Sequence, residues 1–243
     1  MLAKYLTQVT TLLQNPPAPT PLYDNTTLTN AINLARGQLA GESESIRFLG
    51  TINTVISQRP YNFFSINTGV SATNGILGPL NVRSILYAVA SGQKWIRPRP
   101  WQWFQFYAMN NPVPPSGPPV RWSQYFQGAT GNFYIDPIPD LVYVLTCDCV
   151  CLPIPLVDDT TVEAIPPLWQ DAVQFLAAFF ALLSAQSGAR TADANRMYER
   201  YEEFTTRARR FSNPSVTRYI YAQETDRTDA NKLGIAPRQS SGG

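Results

Sequence analysis

The sequence contains no histidine, only three cysteines and few charged side chains. Of its 243 residues, 15% are charged and 44% are hydrophobic. Without histidine the chain cannot form a Ser-His-Asp triad, a Cys-His pair or a histidine-ligated zinc site. Those enzyme classes are excluded, and only chemistry based on carboxylates stays open. The hydrophobic fraction is too high for a disordered chain, so a folded protein is predicted.

Long apolar runs and a strong net charge are also absent. Residues 172–183 form the longest apolar run, which Gln174 interrupts, whereas a membrane-spanning helix needs about 20 apolar residues. Residues 1–6 lack the pattern of a signal peptide. The net charge is +2, too low for a general polyanion-binding protein. We therefore expect a soluble protein without membrane contact, made in a reducing cytoplasm.

The three cysteines alternate along one predicted strand, as Cys147, Cys149 and Cys151. Side chains two apart in a strand point to the same side, about 6–7 Å from each other. Sulfur ligands of one tetrahedral metal lie closer together than that. We therefore predict three reduced, buried side chains, no metal site and no disulfide.

Helical patterns occupy both ends of the chain and strand patterns occupy the middle. Residues 2–15, 24–41, 172–183 and 194–211 show helical periodicity, with Asp24 as a predicted N-cap and Gly41 as a predicted C-cap. The 21 prolines cluster between these ends, where they favour short strands and loops. The predicted class is α+β. A four-helix bundle is built from residues 1–44 and 166–211, a β-rich, sheet-like or barrel-like insert spans residues 45–165, and an extended tail spans residues 212–243.

The predicted core of the bundle lies on its last two helices. The third helix is apolar on nearly every face, and the fourth carries apolar residues at alternating steps of three and four. Five side chains are expected to be buried against the two amino-terminal helices: Phe175, Phe179, Leu182, Tyr201 and Phe204.

Two groups of side chains are candidates for a binding site or a catalytic site. Trp101, Trp103 and Tyr107 follow a basic segment and are able to form a stacking platform. The favoured interpretation is a proline-kinked stretch whose tryptophans anchor the sheet to neighbouring elements. Asp158, Asp159 and Glu163 are the only candidate carboxylate cluster, and they lie in a proline-flanked linker typical of solvated acids. No glycine-rich phosphate loop is present. We predict no catalytic residue, no cofactor and no enzymatic activity.

The order of these features resembles the head-to-tail adaptor, or connector, proteins of short-tailed bacteriophages. Its landmarks are the early helix pair, the strand Gly-Asn-Phe-Tyr-Ile-Asp-Pro-Ile-Pro-Asp at residues 131–140, and the linker Asp-Asp-Thr-Thr at residues 158–161. That linker leads to Ile-Pro-Pro-Leu-Trp-Gln-Asp-Ala-Val at residues 165–173. The resemblance covers residues 1–211. The proline-rich loop at residues 110–119 and the cysteine strand depart from the usual pattern.

The resemblance implies a structural protein of the virion, at the head-to-tail interface. It implies a ring of about twelve copies that binds the portal protein and the tail nozzle protein, and that lets genomic DNA pass without sequence-specific contact. The portal contacts are expected in the last helix and the tail: Arg210, Arg218, Tyr219, Ile220, Tyr221 and Arg227. The contacts on the opposite side are expected in the proline-rich loop: Pro112, Pro114, Pro115 and Pro118.

Two alternatives from other classes stay open at this point. A carbohydrate-binding module would use the Trp101, Trp103 and Tyr107 platform as a monomer. A glycosidase built on carboxylates alone would need two facing acids, one of them with a raised pKa.

Overall fold

The computed structural model describes residues 1–16, 21–69, 74–89, 92–184 and 190–212. Within these residues the chain forms five helices and seven strands. The helices are α1 (Leu2–Leu13), α2 (Asn25–Ser43), α3 (Trp101–Trp103, continued by a π-helical turn at Phe104–Ala108), α4 (Gln170–Ser184) and α5 (Thr191–Ser212). The strands are β1 (Arg47–Asn53), β2 (Pro60–Asn62), β3 (Ile76–Val89), β4 (Gly92–Pro98), β5 (Arg121–Tyr125), β6 (Asn132–Asp136) and β7 (Val144–Pro153).

All seven strands belong to one curled sheet, in the order β1-β7-β3-β4-β5-β6-β2. Neighbours are antiparallel except β4 and β5, which are parallel. The two edge strands are consecutive in the chain but lie at opposite ends of the sheet. The segment after β2 returns to β1, where Thr51 and Asn67 exchange two backbone hydrogen bonds of 2.8 Å. The sheet therefore curls far enough for its two ends to meet there.

Helix α2 begins and ends with defined caps. The carboxylate of Asp24 accepts a hydrogen bond of 2.6 Å from the backbone N–H of Thr27, which confirms the predicted N-cap. The predicted C-cap at Gly41 is wrong, because the helix continues to Ser43 and Glu44 adopts the left-handed conformation, with φ of 52°. Leu28, Ile32, Ala35 and Leu39 are buried along one face of this helix, as the spacing predicts.

Helix α4 buries small side chains rather than its phenylalanines. It packs against α1, α2 and α5, and its fully buried positions include Ala172, Val173, Leu176, Ala177 and Ala178. Leu182 and Tyr201 are buried as predicted. Phe175, Phe179 and Phe204 are only partly buried, so the prediction that they form the core is wrong. Alanines on the inner face let neighbouring helices approach closely, and the rings are left at the edge of the helix pair.

The predicted four-helix bundle is wrong. The protein is α+β, but helix α2 packs on strand β7 as well as on α4. The buried side chains of helices and sheet form one continuous core. Among the described residues, the helices from the two chain ends do not enclose a separate core; they are distributed around a curled sheet. An apolar stripe shows that a helix face is buried, but the stripe does not say whether a helix or a sheet covers it.

Strand β7 and the linker after it join the sheet to the helices. Cys147, Cys149 and Cys151 are free and fully buried in β7, which confirms the predicted burial. In the linker, Glu163 forms a buried ion pair with Arg36 of α2, with Nη2 and Oε1 2.8 Å apart. Arg36 also donates to the backbone carbonyl of Ile154 at 2.7 Å. These contacts fix the linker against α2.

Candidate interaction surfaces

Helix α3 lies on the outer face of strands β5 and β6. The ring of Trp101 contacts Tyr125 of β5 and Tyr134 of β6, with centroids 4.5 and 4.7 Å apart. Phe104 and Ala108 are buried beneath the helix. Trp101 therefore anchors α3 to the sheet, as the favoured interpretation of this segment predicts.

The second tryptophan of α3 lies between cations. The guanidinium carbons of Arg121 and Arg99 are 4.9 and 5.8 Å from the ring centroid of Trp103, within the range of cation–π attraction. Trp103 also stacks on Tyr107, with centroids 5.8 Å apart. Of the three predicted platform rings, Tyr107 is the one that is mostly exposed, at 68%. Because Trp101 and Trp103 both serve contacts within the chain, the three rings do not form a free stacking platform for a sugar.

A buried carboxylate ties α3 to the sheet. Asp136 at the end of β6 is 3.6 Å from Arg59 and 3.4 Å from Arg121. Arg59 in turn donates a hydrogen bond to the backbone carbonyl of Ala108 at the end of the π-helical turn. One buried acid thus holds two arginines, and these arginines hold α3 in place.

The proline-rich loop after α3 is exposed but anchored at its far end. Pro112, Pro114, Pro115 and Pro118 are all exposed, as is Val113. Two backbone hydrogen bonds of 2.9 Å join this end of the loop to Ile138: its N–H donates to Pro115, and its carbonyl accepts from Gly117. The loop thus presents prolines to solvent from a fixed base.

The carboxyl end of α5 is held by contacts from two other elements. Arg47 of β1 pairs with Asp148 of β7 and also donates to the backbone carbonyl of Ser212 at 3.1 Å. Arg209 donates to the backbone carbonyl of Glu42 at 2.7 Å. Arg210 is exposed on the same helix end. The other predicted portal-binding residues lie outside the described residues: Arg218, Tyr219, Ile220, Tyr221 and Arg227.

Each predicted carboxylate candidate has a structural partner. Asp158 accepts hydrogen bonds from the backbone N–H groups of Thr160 and Thr161, both at 3.0 Å, and these threonines hold its pKa below its usual value. Asp159 pairs with the amino group of Met1 at 2.8 Å, which lowers its pKa. Glu163 is occupied by Arg36. A general acid needs a raised pKa, so Asp158 and Asp159 do not provide one.

The cysteine thiols are not activated. Burial raises the pKa of Cys147 to about 12 and that of Cys151 to about 11. Burial also raises the pKa of Cys149. A nucleophilic or metal-binding cysteine needs the opposite shift. In the described part of the chain, no group of three or more Cys, Asp or Glu side chains is placed to hold a metal ion.

Two apolar surfaces were not predicted from the sequence. Val55 and Ile56 are exposed beside Leu141 and Val142, because Ser57 donates to Pro139 at 3.0 Å and Thr54 donates to Tyr143 at 2.9 Å. We call these four residues the apolar tip. Each apolar pair stands next to a turn residue, Ser57 or Asp140, which is a local signal of exposure, but the sequence does not show that the two pairs lie together.

The second surface is a groove of about 580 Å³ between α4 and α5. Phe175 and Met197 supply its apolar lining, and charged side chains of α5 surround it: Arg196, Glu199, Arg200 and Glu203. We call it the α4–α5 groove. A partly exposed aromatic and a methionine with charges of both signs are typical of a protein contact surface rather than of a small-molecule site.

The chain matches a known protein family over most of its length. The family model described as SU10 adaptor protein matches residues 2–224. No curated protein matches the chain. In the described part of the chain, none of the helices has the length and apolar character needed to cross a membrane.

Proposed function

The chain belongs to the SU10 adaptor protein family, and from that membership we propose that its copies form a ring between the portal and the tail nozzle. Membership makes it a structural adaptor of a bacteriophage, and its match covers nearly the whole chain. The finer proposal is a ring of about twelve copies in the virion, made in the host cytoplasm. The ring prolongs the portal channel and lets genomic DNA pass.

Lateral contacts between neighbouring copies use the α4–α5 groove and the apolar tip in this proposal. Both are exposed and apolar at their centres. A ring subunit must cover a contact surface on each side, and exposed apolar patches commonly mark such surfaces. The groove also carries charges of both signs, which gives a neighbouring copy a means of orientation.

The portal side of the subunit is the end of α5 and the residues that follow it. Arg210 is exposed there, and the anchoring contacts of Arg47 and Arg209 hold the helix end in one direction. The proposed contacts continue into Arg218, Tyr219, Ile220, Tyr221 and Arg227. Aromatic and arginine side chains are enriched among residues that carry binding energy.

The tail side of the subunit is the proline-rich loop together with the exposed end of α3. Pro112, Pro114, Pro115 and Pro118 are exposed next to Phe106 and Tyr107. Prolines lose little conformational entropy when they bind, because their backbone is already restricted. This surface is proposed to bind the tail nozzle protein.

The proposed role needs no catalysis. The predicted carboxylates hold the linker and the amino-terminal helix, and the thiols are buried. The division into helical residues 1–44 and 166–211, a β-rich insert at 45–165 and a tail at 212–243 stays a proposal about folding units.

The test is the assembly state of the purified protein alone and with a portal. Light scattering and electron micrographs are expected to show rings, alone or on addition of portal. Met197→Asp places a charge in the α4–α5 groove and is expected to prevent ring formation, whereas the matched control Leu34→Asp, on the exposed side of α2, is expected to leave it intact. A chain that stays monomeric with the portal present would contradict the proposal.

A further inference from the structure

Charge is distributed very unevenly along this nearly neutral chain. Between Glu44 and Asp136 the sequence contains no acidic residue at all. The same stretch contains seven basic residues: Arg47, Arg59, Arg83, Lys94, Arg97, Arg99 and Arg121. A balance taken over each half of the chain hides this segregation, because the acids lie on either side of the stretch.

Four of the seven cations are neutralised within the fold. Arg47 pairs with Asp148 and Arg83 with Glu44, while Arg59 and Arg121 share Asp136. For Lys94, Arg97 and Arg99, by contrast, no carboxylate of the described residues lies within ion-pair distance. These three belong to strand β4 and its direct extension.

Two of these cations, Arg97 and Arg99, form one exposed strip with Trp95, whereas Lys94 is exposed on the opposite side of the strand. Arg99 also lies over the ring of Trp103. Trp95, Arg97 and Arg99 share one side of the extended chain, because side chains alternate along a strand. Trp95 is 56% exposed. The backbone of this segment is held against β5. The backbone N–H of Arg97 donates to the carbonyl of Val120 at 2.9 Å, and the backbone N–H of Arg99 donates to the carbonyl of Trp122 at 2.7 Å. We call Trp95, Arg97 and Arg99 the β4 strip.

We propose that the β4 strip binds the phosphate backbone of nucleic acid. A nucleic acid presents a continuous line of charges of one sign, which matches two neighbouring cations without an acid between them. A protein surface of mixed sign would find no carboxylate on the strip with which to pair its own cations. The exposed Trp95 adds a ring on which an unpaired base is able to stack.

The expected strength of this contact is small for one subunit. Two neutralised phosphates on duplex DNA give a salt dependence of about −1.8 in log K against log salt. Such a contact is weak at physiological salt, so it guides DNA without holding it. The inference extends the proposed function, in which the genome passes through the ring, because repetition around the ring multiplies the weak contact.

The experiment measures binding of fluorescent 30-base-pair duplex DNA and of a 30-nucleotide single strand at several salt concentrations. The strip variant is Arg97→Gln with Arg99→Gln. The matched control removes the same charge from exposed positions outside the proposed contact surfaces, as Lys4→Gln with Arg207→Gln. The strip variant is expected to lose at least about tenfold in affinity at low salt and to lower the salt slope by about two, one for each cation. The control is expected to stay within about twofold of the parent.

Several results would overturn the inference. Equal losses in the strip variant and the control would show an effect of net charge alone. Unchanged DNA binding in the strip variant would exclude the strip as the site. Binding of polyglutamate that depends on the strip as strongly as DNA binding does would indicate an acidic protein partner instead. If the double variant does not fold, Arg97→Gln and Arg99→Gln tested singly must each lower the slope by about one.

Further measurements define the ligand and separate the inference from the ring. If bases stack on Trp95, Trp95→Ala is expected to weaken binding of the single strand more than binding of the duplex. Equal weakening would mean that the strip contacts the phosphate backbone alone, which still supports the proposal. Light scattering on the same samples reports assembly. Rings that bind no DNA would refute this inference and leave the proposed function standing. Monomers that bind DNA through the strip would support this inference and contradict the proposed ring.

Discussion

At the scale of single residues, the buried ion pair between Arg36 and Glu163 offers the clearest test of stability. Arg36 is fully buried and donates to Glu163, Asn33 and Ile154. Glu163→Gln leaves the guanidinium charge buried without a countercharge, so the free energy of unfolding is expected to fall by about 3–5 kcal/mol. Urea unfolding measures this change. Replacing both residues, as Arg36→Met with Glu163→Leu, is expected to cost less than the single change. If Glu163→Gln costs under about 1 kcal/mol, the charge of Arg36 is not held in a buried site.

The cysteines give a prediction about pH. The folded-state pKa of Cys147 is raised from 9.0 to about 12, and that of Cys151 from 9.0 to about 11. Raised folded values mean that the unfolded chain releases these protons first. The stabilisation is therefore complete below about pH 9 and is lost as pH rises towards 11 and 12.

We expect each of these two thiols to remove about 1 kcal/mol of unfolding free energy at pH 10. The variant with valine at Cys147, Cys149 and Cys151 lacks these protons and is expected to lose less stability between pH 8 and pH 10 than the parent does. Urea unfolding at both pH values measures the difference. In addition, the native thiols are expected to resist a thiol reagent at pH 8 until urea is added, and rapid labelling of the native protein would contradict their burial.

At the scale of elements, two positions of helix α4 look alike in the sequence but differ in burial. Leu176 is fully buried, whereas Phe179 is partly buried and contacts Tyr198 at 5.0 Å between ring centroids. Leu176→Ala is expected to lower the free energy of unfolding by about 2–5 kcal/mol. Phe179→Ala is expected to cost less than Leu176→Ala, although its side chain is larger. Thermal and urea unfolding of both variants check the order, and the reverse order would place the ring in the core.

The closure of the curled sheet depends on Gly50 in β1. A Cβ at this position would collide with the side chain of Ile66, beside the point where Thr51 pairs with Asn67. Gly50→Ala is therefore expected to destabilise the fold by about 1–3 kcal/mol through overpacking. Gly37→Ala is the matched control, because a Cβ there has no atom within 4 Å and alanine favours the helix over glycine. A neutral Gly50→Ala would mean that the two ends of the sheet are free to separate.

Local signals were readable from the sequence, and long-range packing was not. The N-cap at Asp24, the buried face of α2 and the burial of the cysteine strand follow from rules that act within a few residues. The buried face of α4 could not be predicted, because this helix carries apolar residues on nearly every face. Nothing in its pattern distinguishes Leu176 from Phe179. The position of β2 at the far end of the sheet from β1 was equally hidden, since pairing between distant segments leaves no local pattern.

The candidate surfaces divide in the same way. The exposed prolines of the loop were predictable from composition, because prolines in a run cannot form regular structure. The apolar tip needed the structure, since its two pairs come from segments more than 80 residues apart in sequence, joined by Thr54 and Tyr143. Finding the β4 strip required both the sequence and the structure. The sequence shows a stretch without acidic residues, and the ion pairs of the fold show which of its cations have no carboxylate partner.

At the scale of the whole molecule, the fold places its proposed partner surfaces on separate elements. The end of α5 is held by Arg47 and Arg209, the proline-rich loop is held by Ile138, and the α4–α5 groove lies on the helices. Because each surface has its own anchoring contacts, a change in one is able to leave the others intact. That separation suits an adaptor, whose neighbours must be bound independently.

Truncation after Ser212 tests that separation at the proposed portal side. The described core ends with α5, and its contacts to α2, α4 and β1 are all made before residue 213. The shortened chain is therefore expected to fold with an unchanged thermal midpoint. It is expected to lose portal binding, because Arg218, Tyr219, Ile220, Tyr221 and Arg227 are removed while only Arg210 stays. A pull-down with purified portal measures the binding, and full-length chain with Tyr219→Ala and Tyr221→Ala distinguishes loss of these anchors from loss of length. Unchanged portal affinity in the truncated chain would move the portal contact to the folded part of the protein.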